Sequence, residues 1–245
     1  MRSIVLLLVV GVLFKVEGQT DRFSKETFKN EKGELNYRFL EPDANPNRKL
    51  PLIIFLHGSG ERGDDNESQL KWGVQQFATD ENLKRFPAFV AAPQCPKEGQ
   101  WSSYGGVFQS EPTQPLDLVR ALISALVEKH PIDQKRIYIT GLSMGGFGTF
   151  DALARYPELF AAAVPVCGSG DPATVDRFSH VPIWIYTGAE DEAVRPERTI
   201  KMFNALMEVG AKPGFTQLPE VGHFSWIAAY SDELLIEWLF RQRKD

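Results

Sequence analysis

Cysteine is scarce, with two in 245 residues. Two cannot build the cross-linked framework of a small secreted scaffold. Cys95 and Cys167 each close an apolar, strand-like run, FVAAPQC and AAAVPVC, where a small buried thiol is the simplest reading. Histidine is also sparse, at four, and no His/Cys/Asp group has the spacing of a metal site, so no metal and no cofactor is expected. The acidic run Asp64-Asp65-Asn66-Glu67 lacks calcium-loop spacing and reads as a solvated loop. A basic stripe is missing too. Lys and Arg total 27 against 32 Asp and Glu, a net charge of −5, which argues against a nucleic-acid partner. There is no internal repeat and no low-complexity stretch. The one long apolar run, Ile4 to Phe14, is too short to span a bilayer comfortably.

That run is the first thing present. Arg2 precedes it, and Val16-Glu17-Gly18 follows with small or modest side chains at the −3 and −1 positions of a cleavage site. Residues 1–18 therefore read as a signal peptide cut before Gln19, and the chain is expected in a periplasm or outside the cell, with no stable membrane insertion afterwards. A buried N-terminal strand or an uncleaved anchor is the alternative for the same residues. Asn66-Glu67-Ser68 has the form of a glycosylation sequon, meaningful only in a eukaryotic source.

Residues 19–245 read as one domain, at 43% hydrophobic and 24% charged residues over the whole chain. Phe23 to Phe28 and Leu35 to Leu40 alternate loosely around Asn30-Glu31-Lys32-Gly33, as an antiparallel hairpin at a sheet edge does. Strand-like runs then alternate with helical patterns. The runs are Leu50 to Leu56, Phe86 to Ala92, Arg136 to Thr140, Phe160 to Val166, Val181 to Thr187 and Gly214 to Leu218. Helices are predicted over Glu67 to Phe77, Pro115 to Lys129, Gly145 to Arg155, Glu197 to Val209 and Asp232 to Gln242. The last would bury Leu234, Leu235, Trp238 and Leu239. The fold class is α/β, a mostly parallel sheet covered by helices on both faces. In such sheets the chemistry lies beyond the carboxyl ends of the strands.

Gly141-Leu142-Ser143-Met144-Gly145 has the G-x-S-x-G form, with a strand run before it and a helical run after it. The form also occurs in ordinary glycine turns; the flanking elements make it a nucleophile turn, with Ser143 the nucleophile. A serine hydroxyl needs a base. His57 and His130 precede Ser143, and His180 lies before a strand, at the wrong end of the sheet. His223, after the last strand, has both the right order and the right end. Its acid lies in Gly188-Ala189-Glu190-Asp191-Glu192, with Asp191 preferred and Glu190 and Asp171 as alternatives. The oxyanion hole would use backbone N–H groups of Met144 and of the loop His57-Gly58-Ser59-Gly60, Ser59 first and Gly60 second. His57 itself reads as support for that loop. Trp101, Trp226 and Tyr230 would line an aromatic cleft or simply pack around the site.

Four segments, HGSGERG at 57–63, AAPQCP at 91–96, GLSMGGFGTFDALARYPELFAAAVPVCGSGD at 141–171 and VGHFSW at 221–226, resemble the α/β-hydrolase esterases of the dienelactone-hydrolase and prolyl-oligopeptidase-like group. The resemblance covers essentially the whole of residues 19–245. It implies a single-domain hydrolase with a triad of Ser143, Asp191 in GAEDEAV, and His223. Thr187 departs from the group, which often has His before that Gly. The connection over residues 167–180 is too short for an inserted lid, so an open site is expected, overhung only by Gln100 to Thr113. An open site suits polymer-linked or bulky esters. The expected activity is a carboxylesterase acting through an acyl-enzyme on small or polymer-linked esters, such as acetylated or feruloylated polysaccharide. A serine peptidase or dienelactone-type hydrolase on the same triad is the nearest alternative. A catalytically inactive binding protein on the same fold is the alternative of another class.

Overall fold

The computed structural model describes residues 18–245 except 44, 46, 47, 104 and 106. The signal-peptide reading of 1–18 therefore lies outside the described residues but for Gly18.

Strand β3 (Leu50–Leu56) is LPLIIFL, apolar throughout, and Leu52 to Leu56 are wholly buried. Alternation sends Leu52, Ile54 and Leu56 into one apolar layer and Ile53 and Phe55 into the other, so the strand is the middle of a sandwich. Burying each such side chain contributes roughly 2 kcal/mol. β1 (Ser24–Asn30) and β2 (Gly33–Leu40) form the antiparallel hairpin expected at an edge, and β2 pairs antiparallel with β4 (Phe89–Pro93). All further pairings are parallel, through β5 (Ile132–Leu142), β6 (Ala162–Val166), β7 (Trp184–Gly188) and β8 (Gly214–Leu218). The sheet order is β1-β2-β4-β3-β5-β6-β7-β8.

Six α-helices are described: α1 (Asp80–Arg85), α2 (Gln114–Lys129), α3 (Met144–Arg155), α4 (Pro196–Glu208), α5 (Trp226–Ser231) and α6 (Glu233–Arg241). Residues of α2, α3 and α4 fill the first apolar layer, and those of α5 and α6 the second. α2 begins where sequence places a start: the Thr113 hydroxyl accepts from Leu116 N–H at 3.4 Å, with Pro115 in the first turn.

Two local expectations fail. Glu67 to Phe77 is not a helix but two short 3₁₀ turns, Ser68–Leu70 and Val74–Ala78. Gly73 separates them at φ +75°, and a Cβ there would lie 2.4 Å from the Tyr230 ring. The chain turns under that ring rather than continuing a helix. Leu234 is 67% exposed, and Ile236 is buried in its place. The Asp232 carboxylate caps α6 through Leu234 N–H at 2.9 Å, which starts the helix later and holds Leu234 on its outer side. Asn66, the sequon residue, is buried, and its amide donates to Glu26 O at 3.1 Å, so a glycan there would have to break a packed contact.

The two cysteines follow β4 and β6, with β3 and β5 between those strands, and both are free and buried. Strand order reverses around β3. β4 follows on one side and β5 lies on the other, with Leu56 beside Gly141. The loops leaving β3 and β5 are therefore neighbours, at the place where such sheets bind ligands.

Candidate active site

β5 turns into α3 through Ser143, which sits at φ 52°, ψ −116°. This left-handed backbone lifts the side chain clear of the sheet, at a cost of about 1–3 kcal/mol that the surrounding packing must offset. The turn is tight enough that a Cβ on Gly145 would lie 1.9 Å from Leu56 O, and one on Gly141 2.5 Å from Gly145 O. The glycines thus allow α3 to pack against the end of β3. Ser143 N–H donates to Val166 O at 3.0 Å, tying the turn to β6 as well.

Three side chains from three loops meet there. His223 follows β8, and its Nε2 lies 2.9 Å from Ser143 Oγ. Its Nδ1 lies 2.8 Å from Asp191 Oδ2, in the loop after β7. A carboxylate only accepts, so Nδ1 carries the proton and Nε2 presents its lone pair to the Ser143 hydroxyl. Asp191 is 2% exposed, and its other oxygen accepts from Ala193 N–H at 2.9 Å and Val194 N–H at 2.8 Å. The two alternative acids lie elsewhere. Glu190 is exposed, and Asp171 accepts from Ala173 N–H at 3.0 Å and Phe108 N–H at 3.1 Å, capping a 3₁₀ turn. Cys167 Sγ lies within 4.8 Å of ligand atoms of Asp191 and His223. Burial pushes its thiol up to about 12, so it stands beside the imidazole as a neutral group.

The cleft above these groups has a volume of about 560 Å³ and is lined by Ser143, His223, Met144, Ser59, Phe147 and Val194 among others. Ser59 and Met144 thus lie at the same opening as the serine. Gly60 is exposed on the same turn, Ser59–Glu61. Beneath that turn His57 is buried, its Nε2 accepting from Cys95 N–H at 2.9 Å and its Nδ1–H donating to Gly58 O at 2.6 Å. Burial pushes this imidazole down to about 4, so it is a neutral brace, as expected from the sequence.

The aromatic cleft is revised. Trp101 is wholly buried, with its indole N–H donating to His57 O at 3.0 Å, and so holds the β3 loop from behind. Tyr230 is buried with its hydroxyl 2.9 Å from that of Thr140. Trp226 is 5% exposed and meets His223 edge-on, with ring centres 5.3 Å apart and planes at 87°, so it bears on the imidazole rather than forming an open wall. Phe147 does line the cleft, as do Arg62, Gln100, Ser102, Ser103 and Arg198. Sequence reasoning brought Gln100, Ser102 and Ser103 to the site within the overhanging segment but did not single out Phe147, Arg62 or Arg198. Arg62 was within reach, in the quoted HGSGERG; Arg198 depends on how α4 is turned.

Residues 113–185 match the Prolyl oligopeptidase family. A thermostable esterase of known crystal structure is 40% identical, with a TM-score of 0.87 over 92% of this chain and 64% of that one. This chain has the α/β-hydrolase fold and is similar in sequence and structure to serine esterases. Two further relatives carry ester chemistry in their names. Poly(3-hydroxyalkanoate) depolymerase C of Paucimonas lemoignei is 40% identical over 124 residues, 48% of this chain and 28% of that protein. The bifunctional acetylxylan esterase/xylanase XynS20E of Neocallimastix patriciarum is 26% identical over 167 residues, 68% of this chain and 23% of that protein. The chain thus spans about a quarter of the length of either curated relative. No α-helix among its described residues is long and apolar enough to cross a membrane.

Proposed function

We propose that this chain is a secreted carboxylic-ester hydrolase acting through an acyl-enzyme on Ser143. The observation that carries the reading is the hydrogen-bonded series from Ser143 Oγ through His223 to Asp191, at 2.9 and 2.8 Å, opening on a cleft. In the reaction, Ser143 Oγ attacks the ester carbonyl while His223 Nε2 takes its proton. Asp191 holds the imidazole in the acting tautomer and stabilises the imidazolium. Backbone N–H groups of Met144 and Ser59 receive the negative charge that develops on the carbonyl oxygen. The imidazolium returns the proton to the leaving alcohol. Water, activated by the same His223, then releases the acid and frees the serine.

The substrate class follows from access. Only a 3₁₀ turn, Pro172–Arg177, interrupts the connection from β6 to β7, and Gln100, Ser102, Ser103 and Gly105 line the cleft at its rim, which leaves it open. Polymer-linked acetyl or feruloyl esters fit such an opening, and the acetylxylan esterase among the relatives supports the acetyl case. Secretion rests on residues 1–18. The Prolyl oligopeptidase match keeps peptide hydrolysis as the second reading.

The test is a panel of p-nitrophenyl acetate and butyrate, methyl ferulate, acetylated xylan and a peptide p-nitroanilide, assayed with wild type and Ser143→Ala, with fluorophosphonate labelling beside it. Ester turnover and labelling that both vanish in Ser143→Ala are expected. Equal ester rates in the two proteins refute the reading, faster turnover of the anilide favours the peptidase, and an unlabelled wild type favours a binding protein.

A further inference from the structure

The protein is acidic overall, yet its cleft is not. Among the described residues lining the cleft there is no carboxylate, and there are two arginines, Arg62 and Arg198. They approach from different elements. Arg62 follows the β3 turn, with Nε donating to Ser59 O at 3.0 Å and Nη1 to Gly99 O at 3.4 Å. Arg198 stands on the first turns of α4, donating through Nη2 to Gly105 O, with its guanidinium carbon 5.1 Å from the Phe147 ring centre.

Both guanidiniums are held by carbonyl oxygens, that of Arg198 also by an aromatic face, and neither is in an ion pair with any described residue. Arg155, by contrast, is paired with Asp151 at 3.0 Å. A guanidinium has five donors in a planar fork, and the bonds above leave several on each arginine for a planar anion. Fixing the fork with carbonyl groups costs it no charge and removes part of the entropy of ordering it on a ligand. Two uncompensated cations around a neutral nucleophile also attract anions from solution.

We propose that Arg62 and Arg198 form a carboxylate-recognition site beside Ser143, so that the preferred ester carries a carboxylate in addition to the bond that is cleaved. The inference rests on the ester-hydrolase reading and narrows its substrate class. The carboxylate can belong to the alcohol side, as in an O-acetylated uronate, or to the acyl side, as in the half-ester of a dicarboxylic acid. The two arginines are specificity-determining residues; they transfer no proton.

The experiment measures binding and turnover on matched pairs. For the acyl side the pair is monoethyl succinate and ethyl butyrate, which differ by carboxylate against methyl. For the alcohol side it is the O-acetylated methyl glycosides of glucuronate and glucose. Affinity is measured by calorimetry on Ser143→Ala, and kcat/KM by acid release on the active protein. The charged member of at least one pair is expected to be favoured about tenfold, as one or two partly exposed guanidinium–carboxylate contacts allow. That preference should shrink in Arg62→Gln and Arg198→Gln, be retained in part by Arg198→Lys, and weaken as salt rises. The favoured pair identifies the side. Equal affinity and equal kcat/KM for both members of both pairs, or a preference that survives the double Gln variant, overturns the proposal. If the arginines only strap Gly99 and Gly105, stability moves in the variants but the charged-to-neutral ratio does not. Failure of the ester-hydrolase reading is distinct, since it abolishes turnover of all four esters while the calorimetric ratio is still read.

Discussion

Acid should weaken the fold through His57, a residue that takes no part in the proposed chemistry. Its Nε2 accepts from Cys95 N–H and its Nδ1–H donates to Gly58 O, at 2.9 and 2.6 Å, so a second proton would set a donor against a donor in a buried site. Burial is the main cause that lowers the imidazole from 6.5 to about 4, with Arg62 adding to it against a raising contribution from the Gly58 bond and Asp65. In the unfolded chain His57 titrates near its ordinary value. Between about pH 4 and 6.5 the unfolded chain therefore holds a proton that the folded chain does not. Stability falls as pH falls through that interval and levels off below it. A gap of about two units at 1.4 kcal/mol each gives about 3 kcal/mol between pH 7.5 and 4.5. That is a large share of the 5–15 kcal/mol typical of a domain. Glu61, whose carboxyl is pushed above its ordinary value by burial, acts in the opposite sense, so the quantity to read is a difference between two proteins. Urea unfolding of wild type and His57→Leu at several pH values supplies it. His57→Leu should be less stable at pH 7.5 yet lose about 3 kcal/mol less on acidification. Parallel losses in the two proteins would refute the reasoning.

Two substitutions probe the site itself. Asp191→Asn should leave the fold intact by circular dichroism and lower kcat about 10³- to 10⁴-fold, because the amide no longer selects the acting tautomer of His223; a tenfold loss or less contradicts the proposed role. Gly145→Ala sets a Cβ 1.9 Å from the carbonyl oxygen of Leu56, a backbone atom that cannot rotate away. It should cost about 3 kcal/mol or more in thermal or urea unfolding, and an unchanged midpoint would show that the β5–α3 turn is looser than its geometry.

Much of this architecture is local and so was open to sequence reasoning. The alternation of apolar runs with helical patterns predicts the parallel sheet, because a strand buried on both faces has no polar side to show. The turn at Ser143 is legible for a steric reason: only glycine tolerates the approach of α3 to β3, and the strand and helix around Ser143 are read from their own periodicities. The order of Ser143, Asp191 and His223 along the chain sets each beyond the carboxyl end of its own strand. The helix expected over 67–77 failed because a ring 157 residues downstream, Tyr230, sits on Gly73.

What tertiary structure decided is which groups face which. Glu190, Asp191 and Asp171 all follow strands at the same end of the sheet, and spacing does not separate them. Asp191 meets His223 because Ala193 and Val194 N–H hold one oxygen and leave the other turned to the imidazole. Trp101 looked like a cleft residue and is a buried prop, since its depth depends on elements far apart in the chain. The two cleft arginines depend on the rotation of α4 and on where Gly99 and Gly105 place their carbonyls. Sequence carries short-range sterics and periodicity; the pairing of charges across loops exists only once the sheet has brought those loops together.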